Sequence, residues 1–356
     1  MSVVLDTTRT QAFAEQTFGL VNSGFLSLML SVGHRTGLFD TLAGLPPSTS
    51  DQIAAAANLN ERYVREWLGA MATGGIVEFD PAARTYWLPG EHAAALTRAS
   101  GPGNLAELAQ LVSLLAQVET PIVEVFRKGG GVSYSAFERF HELMAESSRT
   151  TLEATLLDRT LPLVPGLVQR LETGIDVMDV GCGAGVAILL MAPRFPGSRF
   201  TGLDIATDAI AKARADAGGA GLTNARFVVE DAASLDAHAK FDFITAFDAI
   251  HDQAAPRRVL RAIRDALRPD GTFLMVDIAA SSHLERNLEN PLAPFLYTVS
   301  TMHCTTVSLA QGGEGLGACW GEEKARELLA EAGFTSVEVS TVDADPFNLY
   351  YVCRPS

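Results

Sequence analysis

The chain has few of the residues that crosslink proteins or bind metals in recognisable motifs. Its 356 residues include four cysteines, Cys182, Cys304, Cys319 and Cys353, widely spaced and without a CxxC pair. Neither a disulfide framework nor a zinc motif is expected, and the thiols are read as reduced. The seven histidines form no HExxH string and no cluster, so no metal is assigned. Positive charge is also scarce: 27 Lys and Arg stand against 42 Asp and Glu, a net charge of -15. A surface of that sign repels nucleic acid and anionic membranes, which excludes both as default partners. No uncharged apolar run approaches the roughly 20 residues that span a bilayer. The opening MSVVLDTTRTQAFAEQ has neither the basic start nor the apolar stretch of a secretory signal. A cytoplasmic protein without a membrane segment is expected.

What is present is the material of a packed protein. Hydrophobic residues make up 47% and charged residues 19%, and the length suits two or three domains. Three regions are expected: a helical N-terminal domain over residues 1–100, a helical connector over 101–173, and an α/β domain over 174–356.

In the first region, an apolar helix is expected over Phe25 to Leu42 and a short one over Asp51 to Ala57. A third starts at an Asn60 cap, carries Val64, Trp67, Leu68 and Met71 on one face, and stops at Gly74-Gly75. Strands at 76–79 and 85–88 flank the turn Asp80-Pro81-Ala82-Ala83-Arg84. Three helices followed by a hairpin is winged-helix order. Between Asp40 and Arg98 there are four arginines and no lysine against seven acids. That balance lacks the cationic footprint of a DNA reader, so a structural or dimerising role is expected.

The connector reads as helical, broken at Lys128-Gly129-Gly130-Gly131-Val132 by a flexible or tightly turned segment. Beyond it, Tyr134, Phe137, Phe140, His141 and Met144 recur at helical spacing, as a core stripe or as the wall of a substrate pocket.

From about Gly174 apolar strands alternate with amphipathic helices. Strands are expected over Ile175 to Val180, Phe200 to Asp204, Ala225 to Glu230, Phe241 to Phe247 and Thr272 to Ile278, with two more over Ser336 to Val342 and Asn348 to Cys353. Such alternation predicts a mostly parallel sheet covered on both faces. Asp179-Val180-Gly181-Cys182-Gly183-Ala184-Gly185 sits at the end of the first of these strands and opens a helix, where glycines let backbone approach a ligand. The spacing is GxGxG, which disfavours the GxGxxG dinucleotide fingerprint. Asp204, 19 residues beyond Gly185, closes the next strand, where a carboxylate can accept hydrogen bonds from ribose hydroxyls. Glu230-Asp231 closes the third, within reach of an adenine amino group. Pro193, in the helix after the glycine loop, predicts a kink or an end there.

As a set these segments resemble the class I S-adenosylmethionine-dependent methyltransferases from about Gly174 onward. The resemblance implies a seven-stranded Rossmann-like sheet with its last strand antiparallel, and S-adenosyl-L-methionine as cofactor, with S-adenosyl-L-homocysteine as product. It assigns cofactor contacts to Asp179, Gly181, Cys182, Gly183, Gly185, Asp204, Ile205, Asp231, Ala232 and Phe247. The N-terminal half is similar to that of two-domain small-molecule methyltransferases, which implies a homodimer formed through the winged helix.

Methyl transfer from a sulfonium is an in-line displacement, so alignment and exclusion of water carry most of the catalysis. For a hydroxyl acceptor a histidine is the natural base. His251 is the candidate, with Asp252 to orient its ring; His303 and His141 are the others. Catechol-type relatives bind a metal through acids after the fourth and fifth strands, where this chain has Asp248 and Asp277, but Ile278 stands in place of their asparagine ligand. An insert over about 281–320 is expected to act as a lid, with Phe295 and His303 joining Tyr134, Phe137 and His141 around a small, partly apolar acceptor. The alternative is a regulator that senses a ligand through the methyltransferase fold and contacts DNA through the winged helix. Methylation of protein or nucleic acid is a third reading, disfavoured by acidity.

Overall fold

The computed structural model describes residues 5–355, so the first four residues of the opening segment lie outside it. The chain divides into two compact units, Met1–Ala116 and Gln117–Ser356.

The first unit is built on α1 (Thr7–Thr36), α2 (Leu38–Ala43), α3 (Ser50–Ala57) and α4 (Glu61–Thr73). A short hairpin of β1 (Glu78–Asp80) and β2 (Thr85–Trp87) follows, then α5 (Gly90–Leu96), α6 (Leu105–Leu108) and α7 (Gln110–Ala116). Asn60 caps α4 through its side chain, and Thr49 with Gln52 forms a capping box on α3. The apolar stripe Val64, Trp67, Leu68 and Met71 packs on Phe39, Leu42 and Ile53 as expected, and the Trp67 indole donates to the Met29 carbonyl at 2.8 Å. The Asp80 carboxylate holds the hairpin turn by accepting from Ala82 and Ala83.

The first helix departs from the expectation. It starts at Thr7 and is separated from α2 by Gly37, whose φ of 71° ends the helical run. Asp6 caps it by accepting from the amides of Thr8 and Arg9. Periodicity could not reveal its first part because residues 7–25 bury no face: Phe13, Phe18, Leu20 and Phe25 are each about two-thirds exposed.

The second unit begins with α8 (Glu119–Lys128), a 3-10 turn (Tyr134–Ala136), α9 (Phe140–Thr155) and α10 (Leu167–Thr173). Then come β3 (Asp176–Val180), α11 (Val186–Arg194), β4 (Arg199–Asp204), α12 (Thr207–Gly219), β5 (Ala225–Val229), β6 (Phe241–Phe247), α13 (Pro256–Ala266) and β7 (Leu267–Ile278). The insert contributes α14 (Leu284–Asn287), α15 (Ala293–Val299), a π turn (Ser300–Cys304) and α16 (Thr305–Ala310), before α17 (Gly321–Ala332), β8 (Phe334–Val342) and β9 (Asp345–Pro355).

The seven strands lie in the order β5-β4-β3-β6-β7-β9-β8, parallel except for β9, which runs against both neighbours. Side chains alternate between two apolar layers: Met178, Ile244, Phe273, Met275 and Tyr351 face one, and Val177, Phe243, Leu274, Val276 and Tyr350 face the other. Burial on both faces is why these strands read as apolar runs. Helix α11 ends one residue after Pro193, where proline cannot continue the ladder.

Tyr134 to Met144 is not one helix. Arg139 at φ 64° separates the 3-10 turn from α9, so the helical spacing is broken between Phe137 and Phe140. The triple glycine is a tight docking point: a Cβ on Gly131 would lie 2.0 Å from the Thr306 carbonyl oxygen, and the Val132 amide donates to Thr306 Oγ1 at 2.7 Å.

Candidate functional site

The order of strands reverses between β3 and β6, and at such a switch point the loops beyond the carboxyl ends of the strands part to form a crevice. Gly181 and Cys182 both donate backbone hydrogen bonds to the Leu203 carbonyl, at 2.8 and 3.1 Å, which folds the glycine loop over the end of β4. Gly185 starts α11 at φ 76°, with the Phe227 ring 2.4 Å from where a Cβ would stand. Gly183, at φ 52°, faces open space.

Asp204 is locked by two backbone amides, accepting from Gly183 through Oδ2 and from Ala206 through Oδ1, both at 2.8 Å. Its backbone carbonyl accepts from the Glu230 amide, which brings the ends of β4 and β5 level. Ile205 beside it is 61% exposed. Asp231 is exposed and caps a 3-10 turn by accepting from Ala233, while Ala232 is buried. Asp179 is buried below the loop and accepts from Thr245 Oγ1 at 2.7 Å; burial pushes its carboxyl up to about 7. Burial likewise raises the half-buried Cys182 thiol, and Phe247 ends β6 half-buried.

After β6 the chain turns through Asp248, at φ 49°, into a buried His251. The residue that orients its ring differs from the expectation. His251 Nδ1 lies 2.7 Å from Asp277 Oδ1, while Asp252 Oδ1 lies 3.3 Å from the other ring nitrogen, Nε2, without hydrogen-bond alignment. Asp277 is fully buried at the end of β7, and its Oδ1 also accepts from Trp320 Nε1 at 2.9 Å. Burial alone would lower the imidazole pKa, but the carboxylates of Asp277 and Asp252 hold it well above its ordinary value.

Tyr134, Phe137, His141 and His303 lie together in one aromatic cluster. His303 is 1% exposed, stacks on Phe140 at 3.7 Å between ring centres, and meets the edges of Tyr134 and Phe137. Burial pushes it down to about 4, so it is neutral, and neither ring nitrogen has a hydrogen-bond partner. His141 stacks on Tyr134 and pairs with Asp208 at the start of α12, at 3.1 Å. Phe295 is not part of this cluster; it packs against Phe347.

In the sequence Asp277 stands out only as a possible metal ligand, and Trp320 carries no motif at all. A lone acid inside the apolar run 272–278 is the available signal, since a buried carboxylate needs partners.

Residues 24–98 match the Rv2258c-like winged HTH domain family, and residues 171–344 match a methyltransferase domain family. Among curated proteins, the chain is 31% identical over 125 residues to the ubiquinone biosynthesis O-methyltransferase of Actinobacillus pleuropneumoniae serotype 7, covering 33% of this chain and 53% of that protein. It is 32% identical over 120 residues to the enzyme of the same name from Cronobacter sakazakii, covering 32% and 48%. The chain thus spans about half the length of these relatives. Its fold is similar to that of the mitomycin 7-O-methyltransferase MmcR, with a TM-score of 0.70 at 19% identity over 98% of this chain and 100% of the other. It is equally similar to human N-acetylserotonin methyltransferase solved with S-adenosylmethionine, at 0.70 and 18% over the whole of both chains. The chain thus carries a winged helix-turn-helix domain followed by a methyltransferase domain, in the fold of these solved methyltransferases.

Proposed function

We propose that the protein transfers a methyl group from S-adenosylmethionine to a hydroxyl oxygen of a small, partly apolar molecule, with His251 as general base. The observation that carries this is the Asp277–His251 pair at the sheet edge, on the same strand-end face as the glycine loop and Asp204.

The residues fit the cofactor. Gly183 leaves room where a side chain would intrude, Asp204 is pre-oriented by two amides to accept from ribose hydroxyls, and the exposed Ile205 offers an apolar surface for the adenine. Asp179, Gly181, Cys182, Gly185, Asp231, Ala232 and Phe247 complete the proposed cofactor contacts. When bound, S-adenosylmethionine supplies an electrophilic methyl carbon on a sulfonium. His251 holds the acceptor's proton at Nε2 while Asp277 fixes the ring from Nδ1 and stabilises the imidazolium. Because the carboxylates raise its pKa, the neutral, working imidazole is reached at a higher pH than in a free histidine. The aromatic cluster of Tyr134, Phe137 and His303, with His141 at its rim and Phe295 beyond it, is proposed as the acceptor's apolar surround.

The winged-helix unit is assigned to homodimer formation. The exposed apolar residues Phe13, Phe18, Leu20, Val21 and Phe25 on α1 suit a second copy of the chain. On α4, Arg62 pairs with Glu66 and Arg65 with Glu61, so the arginines that would meet phosphates are neutralised within the helix. That electrostatics disfavours the DNA-binding regulator, for which a gel shift at physiological salt is the check.

The test of the main reading is incubation of the purified protein with methyl-labelled S-adenosylmethionine and a small-molecule metabolite extract, with mass spectrometry of the products. Label in a defined compound is expected. Absence of label despite confirmed cofactor binding would overturn it.

A further inference from the structure

Beside the proposed base, His251, lie two further donors, Asp252 and Cys304, to which the methyl-transfer reading gives no part. His251 Nε2, an oxygen of Asp252 and Cys304 Sγ all lie within 4.8 Å of one another. The π turn Ser300–Cys304 brings the thiol there, from an element distant in sequence from the His251-Asp252 pair. Such one-turn π segments frequently mark functional positions. Cys304 and His251 are each 4% exposed, and Asp252 is 17% exposed with its Oδ1 buried.

Two observations bear on what the set could hold. The Asp252 Oδ1 atom is buried without a hydrogen bond, although Nε2 is 3.3 Å away. That separation matches the edge of a tetrahedron with metal–ligand bonds of about 2.0–2.1 Å, which is about 3.3 Å. The second is the support of His251 from behind: Asp277 takes Nδ1 at 2.7 Å and is itself held by Trp320 at 2.9 Å. A carboxylate on the far nitrogen of a histidine, fixed in turn by a further hydrogen bond, is the arrangement that aims the near nitrogen of metal-binding histidines.

We propose that His251 Nε2, Asp252 and Cys304 Sγ form a binding site for a borderline-soft divalent cation of the zinc type, with a fourth position left to water. One nitrogen, one carboxylate oxygen and one thiolate suit Zn2+ better than Mg2+ or Ca2+, which take oxygen donors. On binding, the Cys304 thiol and the His251 Nε2 position give up their protons to solvent and donate lone pairs to the metal. Under the methyl-transfer reading, on which this one consequence rests, an occupied site has lost its base, so the cation is a reversible inhibitor.

The probe is Co2+ alone, titrated into the full-length protein and followed by absorbance. A thiolate-to-cobalt charge-transfer band reaching one equivalent per chain, displaced by Zn2+, is expected. Cys304→Ala should abolish the band while Cys353→Ala, at a buried cysteine in β9 away from the site, retains it. Asp277→Asn should weaken cobalt affinity by about 10- to 100-fold without removing the band. If Cys304→Ala does not fold, as judged by circular dichroism, Asp252→Asn replaces it, with loss of tight binding expected. No band in the wild-type chain, or a band that survives both Cys304→Ala and Asp252→Asn, overturns the site. Methyl-transfer assays with and without Zn2+ separate the two readings: a cobalt band without any methyl transfer leaves the metal site standing and removes the proposed reaction.

Discussion

His251 Nδ1 and Asp277 Oδ1 are 2.7 Å apart, and the same carboxylate oxygen accepts from the Trp320 indole at 2.9 Å. The pair joins the turn after β6 to the end of β7, and it defines which imidazole nitrogen is left for an acceptor.

His251→Ala is expected to lower turnover by ~10² or more while cofactor affinity is kept, measured by steady-state kinetics beside equilibrium binding. Asp277→Asn should also shift the rising limb of the pH–rate profile to lower pH. Removing the negative partner stabilises the imidazolium less, so the neutral base appears at lower pH. An unmoved limb would separate the observed titration from His251.

Asp204→Ala is expected to weaken S-adenosylmethionine binding by about 1–3 kcal/mol, since the carboxylate holds the Gly183 amide and is proposed to accept from the ribose. Calorimetry on a folded variant checks it, and unchanged affinity would refute the ribose assignment.

The glycines of the loop should separate by role. Gly185→Ala combines a left-handed backbone with a contact of 2.4 Å to Phe227, so a fall in Tm is expected from strain and clash together. Gly183→Ala carries only the backbone strain, about 1–2 kcal/mol, but its Cβ enters open space beside Asp204. Cofactor affinity should fall there more than Tm.

Burial raises Asp179 from an ordinary 3.8 to about 7 in the fold. Between those values the native state holds a proton that the unfolded chain has lost, so this group makes stability fall as pH rises from about 4 to 7. Asp179→Asn should flatten that part of the Tm–pH curve; an identical curve would show that another group governs it.

Paired Phe18→Glu and Phe25→Glu substitutions remove apolar surface from the exposed part of α1. Conversion of a dimer to a monomer is expected in sedimentation velocity. A wild-type protein that is already monomeric would refute the assignment of this unit to dimer formation.

Much of this protein is local in origin and therefore legible in its sequence. Burial on both faces makes each parallel strand an apolar run, and a GxGxG turn needs residues that tolerate positive φ. Caps such as Asn60 act within one helical turn. Those constraints are set by neighbours in the chain, so the sheet domain, the glycine loop, Asp204 and His251 stand out from the order of residues alone. What escapes such a reading is long-range or unpatterned. The first half of α1 buries no face and so carries no periodicity, and the helical spacing from Tyr134 to Met144 conceals the left-handed break at Arg139. The identity of the partner on His251 Nδ1 depends on β7 lying beside β6. Asp277, Trp320 and Cys304 meet His251 from separate segments, and only the tertiary structure closes those distances.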